Sequence, residues 1–190
     1  MSMTVASDLD RYQDHAGPTI ELTPLRPLHV LELARLELDH HELSGSTPLS
    51  TYARTRRWAM HLVARRSADT RAYLVTDGGR AVGVAVLDDV RRGTACSASL
   101  SVWVDRGERR RGVGSAAIEQ VLIHAGDLGL HRLEASVLPD DAAARGLLTA
   151  AGFLPVGLAQ GYRRVAGQWR DHVLFECQVA GGPSPTPARW

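Results

Sequence analysis

Between Ser97 and Val104 the chain alternates strictly, with Ala98, Leu100, Val102 and Val104 on one side and Ser97, Ser99, Ser101 and Trp103 on the other. A period of two marks a half-buried strand. Asp105 and Gly107 follow with turn chemistry. Beyond Arg109-Arg110-Arg111-Gly112-Val113-Gly114-Ser115 the period changes. Ile118, Val121, Leu122 and Ala125 recur at i, i+3, i+4, i+7, the apolar stripe of a helix.

The same reading extends along the chain. Residues 1–18 show no clear periodicity and are expected to be a flexible lead-in. Thr19–Leu25 reads as a first strand, and helices are expected over Leu28 to about Leu43 and Thr51–Arg66, the second turning Trp58, Leu62 and Val63 inward. Arg71–Thr76 and Arg80–Leu87 flank Asp77-Gly78-Gly79, a hairpin signal. Asp88-Asp89 and Arg91-Arg92-Gly93 read as the next turn, and Gly126 with Gly129 as the stop of the long helix. His131–Val137 alternates again, Pro139-Asp140-Asp141 caps a short helix striped by Ala144, Leu147, Leu148 and Ala151, and Gly152-Phe153 opens a strand to about Gly161. Arg164–Gln168 turns back into a last strand, Trp169–Val179, and 180–190 is a Gly/Pro/Ser-rich tail expected to be flexible. The order β-α-α-β-β-β-α-β-α-β-β predicts a single α/β domain over 19–179 with a mixed sheet.

Composition narrows the chemistry. The 190 residues suit one well-buried domain. A net charge of +1 gives no global pull toward nucleic acid, and neither a membrane-length apolar run nor a signal-peptide pattern is visible. Cys96 and Cys177 read as buried thiols of a reducing compartment, so a cytoplasmic location is expected, and no metal-ligand spacing is present. Lysine and asparagine do not occur, all 22 basic residues being Arg. Arginine richness therefore says little by itself about ligands.

The Arg/Gly loop between strand and helix is the candidate anion site. The first amides of a helix lack intrahelical partners, and the macrodipole adds positive charge there. Gly112 and Gly114 let a phosphate approach the backbone, and the arginines add forked donors, so the loop fits a diphosphate. A tight turn solvated by Arg is the competing account. Neither G-x-x-x-x-G-K-[ST] nor a completed G-x-G-x-x-G is present, Ala117 standing at the third Gly position.

Three segments in order decide between them. Arg109-x-x-Gly112-x-Gly114, then Val137-x-Pro139-x-Asp141 with Leu147 and Gly152-Phe153, then Gly167-Gln168-Trp169-Arg170-Asp171-His172, resemble the GCN5-related N-acetyltransferase (GNAT) family and its RimJ/RimL-like branch over about Thr19–Val179. The resemblance implies a mixed, mostly antiparallel sheet of about six or seven strands, flanked by about four helices, with the fourth and fifth strands splayed around acyl-CoA. It implies that the diphosphate lies on the amides of Arg110, Arg111, Gly112, Val113, Gly114 and Ser115, with Arg109 and Arg111 near its charge and Asp141 and Arg145 beside the cofactor. Val102 and Val104 would pair with the pantetheine arm, and an N–H such as that of Val104 would polarise the thioester carbonyl. An amine then attacks the thioester directly.

The proton carriers stay open. The fourth strand has Ser99 where many relatives carry a carboxylate, and the short helix has Leu148 and Ala144 where relatives place Tyr or Ser. Glu134 is the first candidate base, with a structural partnership to Arg132 or a helix end as the alternative; Asp39-His40-His41-Glu42, Asp88 with Asp89, and Asp171-His172 are further candidates, and Asp88 and Asp89 read better as turn residues. Tyr162 or water would protonate the thiolate. His40, His41, Glu42, Trp103 and Arg163 are candidate acceptor contacts; Trp58, Trp103 and Trp169 could line an acceptor pocket, but core packing is the favoured reading for each. The expected activity is transfer of an acetyl or short acyl group to a peptide N-terminal α-amine. A small amine or aminoglycoside acceptor, and an acyl-CoA-binding module without turnover, are the alternatives. Homodimerisation is compatible with the sequence but called for by no feature in it.

Overall fold

The computed structural model describes residues 17–36, 51–64 and 69–180. In chain order the elements are β1 (Ile20–Pro24), α1 (Val30–Ala34), α2 (Thr51–Ala64), β2 (Arg71–Asp77), β3 (Arg80–Arg91), β4 (Ser97–Val104), α3 (Val113–Asp127), β5 (Arg132–Val137), α4 (Ala142–Ala150), β6 (Leu154–Val165) and β7 (Gln168–Gln178). The seven strands form one sheet in the order β1-β2-β3-β4-β5-β7-β6. Every neighbouring pair is antiparallel except β4 and β5, which run parallel.

Alternation sorts side chains onto two covered faces. On one, Val82, Ala85 and Leu87 of β3, Ala98 and Leu100 of β4, Leu133 of β5 and Phe175 of β7 pack with Ile118, Val121 and Ala125 of α3, Leu148 of α4 and Phe153. Full burial of a side chain such as Ile118 or Phe153 contributes about 1.5–3 kcal/mol. On the other face Leu74, Val84 and Val86 meet Leu33 of α1 and Ala59 and Leu62 of α2. No helix of the described residues is long and apolar enough to cross a membrane.

Two hairpins use two-residue loops whose residues both take positive φ, as the twist of the flanking strands requires. Gly78 and Gly79 (φ 56° and 81°) join β2 to β3, and Ala166 and Gly167 (φ 49° and 85°) join β6 to β7.

The elements keep their expected order, and several boundaries move. The first helix starts as a 3-10 turn over Pro27–His29 and α1 ends at Ala34, before a turn at Arg35 and Leu36; the expected span from residue 37 onward lies outside the described residues. Asp88 and Asp89 are not a turn, because β3 continues to Arg91 through a bulge at which Asp89 takes φ 53°. β6 runs on to Val165, with Gly161 in a second irregularity and the reversal confined to two residues. Gly126 lies inside α3, which ends at Asp127. Both thiols are only half-buried, not fully buried as expected. Trp169 is 66% exposed at the end of the β6–β7 hairpin. A core position for it is ruled out.

Gly83 marks the tightest backbone approach in β3, where a Cβ would overlap the carbonyl oxygen of Trp103 on β4. Gly83→Ala is expected to destabilise the fold by about 1–3 kcal/mol, read as a lower urea midpoint at unchanged slope.

Candidate active site

The seam between β4 and β5 is short. Ser97, Ala98 and Ser99 pair with Arg132, Leu133 and Glu134, and the ladder then stops although both strands continue. The orientation of the freed amides follows from strand parity. Asp105 donates its N–H to Val82 of β3, whereas the Cys96 carbonyl accepts from Arg132 of β5. Odd-numbered residues therefore hydrogen-bond toward β3, and the even-numbered Leu100, Val102 and Val104 present backbone groups to the gap. Buried backbone groups left without a strand need another partner.

The Arg/Gly loop closes one end of this gap. Arg109, Arg110, Gly112 and Ser115 are exposed, Arg110 holds φ 60°, and Val113 is buried as the first residue of α3. Gly112, in the left-handed region at φ 81°, is the N-cap and brings no capping side chain. A fifteen-residue helix thus starts without a capping side chain beside exposed guanidinium groups. Arg111 is engaged elsewhere, its Nη1 donating to Glu108 Oε2 at 2.5 Å. Glu108 also receives Arg80 at 2.9 Å, and its side chain is only 10% exposed. Arg111 therefore fixes the shape of the loop. The α4 helix packs alongside, with Leu147 against Gly114. Asp141 caps it by accepting the Ala144 N–H at 2.9 Å, and exposed Arg145 donates to the Pro139 carbonyl at 3.1 Å.

At the other end of the gap, on the face opposite α3, one transverse row crosses four strands. Asp88 of β3 is the partner of Ser99, Ser99 of Glu134, and Glu134 of Glu176 on β7. Ser99 and Glu134 are the last β4–β5 pair, so the row lies where the sheet opens. A cleft of about 500 Å³ stands over it, lined by Asp69, Asp88, Asp89 and Glu134 with Arg91 and Arg163. A smaller one of about 210 Å³ continues over Glu134, Ser136 and Tyr162 toward β7.

Local contacts fix these groups. Thr70, itself buried, donates its hydroxyl to Asp88 Oδ1 at 2.7 Å. Arg132 lies 3.5 Å from Glu134 and 3.4 Å from Glu176. Arg91 pairs with Asp89. That hydrogen bond and the Asp89 charge, with Glu134 and Tyr162 adding to it, hold the exposed guanidinium above its ordinary pKa. The Tyr162 ring tilts against His172 at 5.7 Å, and the Arg163 guanidinium stands 5.5 Å from its centre. Trp103 packs edge-on to Trp58 at 5.0 Å, on the α2 side of β4. Asp171 accepts the Gly161 N–H at 2.8 Å and so orders the hairpin. His40, His41 and Glu42, and Asp39 with them, lie outside the described residues.

The family model of the Acetyltransferase (GNAT) family matches residues 32–153. The chain belongs to this family. Within it, the chain is 32% identical over 113 residues to the [ribosomal protein uS5]-alanine N-acetyltransferase of Escherichia coli (strain K12), covering 57% of this chain and 55% of that enzyme. The matched part thus spans about half the length of the curated relatives. Mycobacterium smegmatis RimJ, solved in complex with CoA-disulfide, superposes with a TM-score of 0.75 at 27% identity over 87% of this chain and 84% of that one. A RimL ribosomal L7/L12 α-N-protein acetyltransferase in complex with coenzyme A, 16% identical, shares the fold with a TM-score of 0.71, covering 85% of this chain and 95% of that one.

Of the base candidates the sequence offers, Glu134 and Asp88 line one cleft together with Tyr162, although Asp88 reads in sequence as a turn residue. The signal for its place in the cleft is the parity of Val84, Val86 and Asp88, which carries the inward face of β3 one step past the apolar run.

A Cβ at Gly112 would meet nothing closer than Pro18 Cδ at 3.7 Å, so a substitution there acts through backbone conformation. Gly112→Ala is expected to cost about 1–2 kcal/mol of stability and to raise the calorimetric Kd for coenzyme A by about tenfold.

Proposed function

We propose that this GNAT chain moves an acetyl or short acyl group from acyl-CoA to a primary amine, and that the amine is the α-amine of a peptide or protein N-terminus. The observation that carries the reading is the junction at Ser99 and Glu134, where the parted sheet meets a cleft lined by carboxylates. The relatives named above support the N-terminal acceptor. A small amine is the second reading, favoured by the four carboxylates of the cleft.

The diphosphate rests on the amides at the start of α3, with Arg109 and Arg110 beside it and Asp141 and Arg145 at the neighbouring helix end. The pantetheine arm takes the strand position beside β4, bonded to Val102 and Val104, and the Val104 N–H draws charge onto the thioester oxygen. The acceptor enters from the face of α1 and α2, past Trp103 and Arg163. Its ammonium, with an ordinary pKa of ~8–10, gives a proton to Glu134. The amine nitrogen then attacks the carbonyl carbon, the C–N bond forms, and the C–S bond breaks. The second proton leaving nitrogen is balanced by one delivered to the thiolate from Tyr162 or water. Holding both reactants at the junction supplies most of the acceleration. The chemistry fits a cytoplasmic enzyme using cellular acyl-CoA.

Intact-mass measurement with acetyl-CoA and peptides beginning with Ala or Ser is expected to show one added acetyl group at the N-terminus. Glu134→Gln is expected to lower kcat by about two orders of magnitude. A Glu134→Gln enzyme with unchanged kcat excludes Glu134 as the base.

A further inference from the structure

We infer that Asp171 and His172 are positioning residues for Tyr162, holding its hydroxyl over the Ser99–Glu134 junction, so that the proton delivered to the leaving thiolate comes from Tyr162. The inference rests on the transferase reading and adds to it the source of that proton and the side chains that fix the source in place.

The argument begins with strand register. β6 and β7 fall out of step between the pairs Ala159–His172 and Arg163–Arg170. Gln160, Gly161 and Tyr162 of β6 therefore stand opposite Asp171 alone on β7. A bulge of this kind leaves ladder groups unpaired and re-aims the side chain beside it. Here a side chain takes over the lost ladder bond, because Asp171 Oδ1 accepts the Gly161 N–H at 2.8 Å. Gly161 holds φ 54°, a conformation that glycine adopts without strain. The bulge thus has a fixed shape immediately before Tyr162.

The next residue of β7 holds the ring. His172 is 0% exposed, and its Nδ1 stands 3.2 Å from the Arg170 carbonyl oxygen. The Tyr162 ring, 43% exposed, tilts against this buried imidazole with centroids 5.7 Å apart. Close-packed interiors give way little, so His172 is a rigid backing for a ring that would otherwise swing in solvent. Asp171 and His172 fix the backbone and the ring of one tyrosine from adjacent positions.

The place of Tyr162 gives that hold a purpose. The two clefts share Ser99, Glu134, Tyr162 and Arg163 among their lining residues. Glu134 is the base, a guanidinium keeps its protons, and a phenol is a stronger acid than the aliphatic hydroxyl of Ser99. As the C–S bond breaks, its electron pair stays on sulfur and the Tyr162 O–H bond breaks with it, the proton passing to sulfur to give the CoA thiol. The phenolate then takes back, through water, the second proton that leaves the amine nitrogen.

Steady-state kinetics with acetyl-CoA and a peptide beginning with Ala test the assignment. Tyr162→Phe is expected to lower kcat by about a hundredfold. Asp171→Ala and His172→Ala are each expected to lower kcat by about tenfold, with the KM of both substrates unchanged. Asp171→Asn keeps an oxygen for the Gly161 N–H and His172→Phe keeps a flat ring, so both are expected to retain most of kcat. In the Tyr162→Phe background, Asp171→Ala and His172→Ala are expected to cost nothing further. Asp171→Ala removes a bond on the exposed hairpin, so the cycle can be read from it alone if the buried His172→Ala does not fold.

Full kcat in Tyr162→Phe, a loss carried by KM, or the same fold-loss with and without the Tyr162 hydroxyl overturns the inference while leaving the transferase reading in place. Binding of acetyl-CoA without acetylation of any peptide or amine overturns both.

Discussion

A parallel ladder only three pairs long governs this molecule. β4 is paired with β3 along its length and β5 with β7 along its own, so each strand is held on its outer side while the seam between them fails after Ser99 and Glu134. The apolar layer beneath keeps the sheet in one piece, because Ala98, Leu100, Leu133 and Phe175 share a single cluster with α3. Main-chain groups along the parted edge are then left to water or to a ligand with its own amides. A pantetheine arm is such a ligand, so the site begins as a deficit in sheet hydrogen bonding.

The two ends of the gap are specialised by different physics. At the loop, charge is supplied by oriented backbone and by arginines, a combination that suits a diphosphate of any attached group. At the Ser99 row, charge comes from side chains on three different strands and on the loop before β2, so small substitutions there can alter the acceptor without disturbing the cofactor end. The separation matches a GNAT fold that keeps one donor and accepts many acceptors.

Features carried by local sequence were readable in advance. The alternation of β4, the Gly78-Gly79 reversal and the uncapped start of α3 each depend on residues within a few positions of one another. Features that depend on distant pairing were not. Asp88-Asp89 looks like a turn in isolation, and only the bulged pairing of β3 with β4 shows that Asp88 faces Ser99. Glu108 reads as one more acidic residue in a loop until the fold brings Arg80 from the hairpin to it and buries the carboxylate. Trp169 was expected inside because large aromatics usually are, but at the hairpin end no described element covers it.

The shared carboxylate of Glu108 has a consequence for how this enzyme tolerates change. Because Arg80 and Arg111 converge on one partner, their energies are not independent, and the effect of altering one depends on whether the other is present. The outer corner of β3 is thereby thermodynamically linked to the shape of the Arg/Gly loop before α3. Drift at that corner would surface as a change in the conformation of the loop.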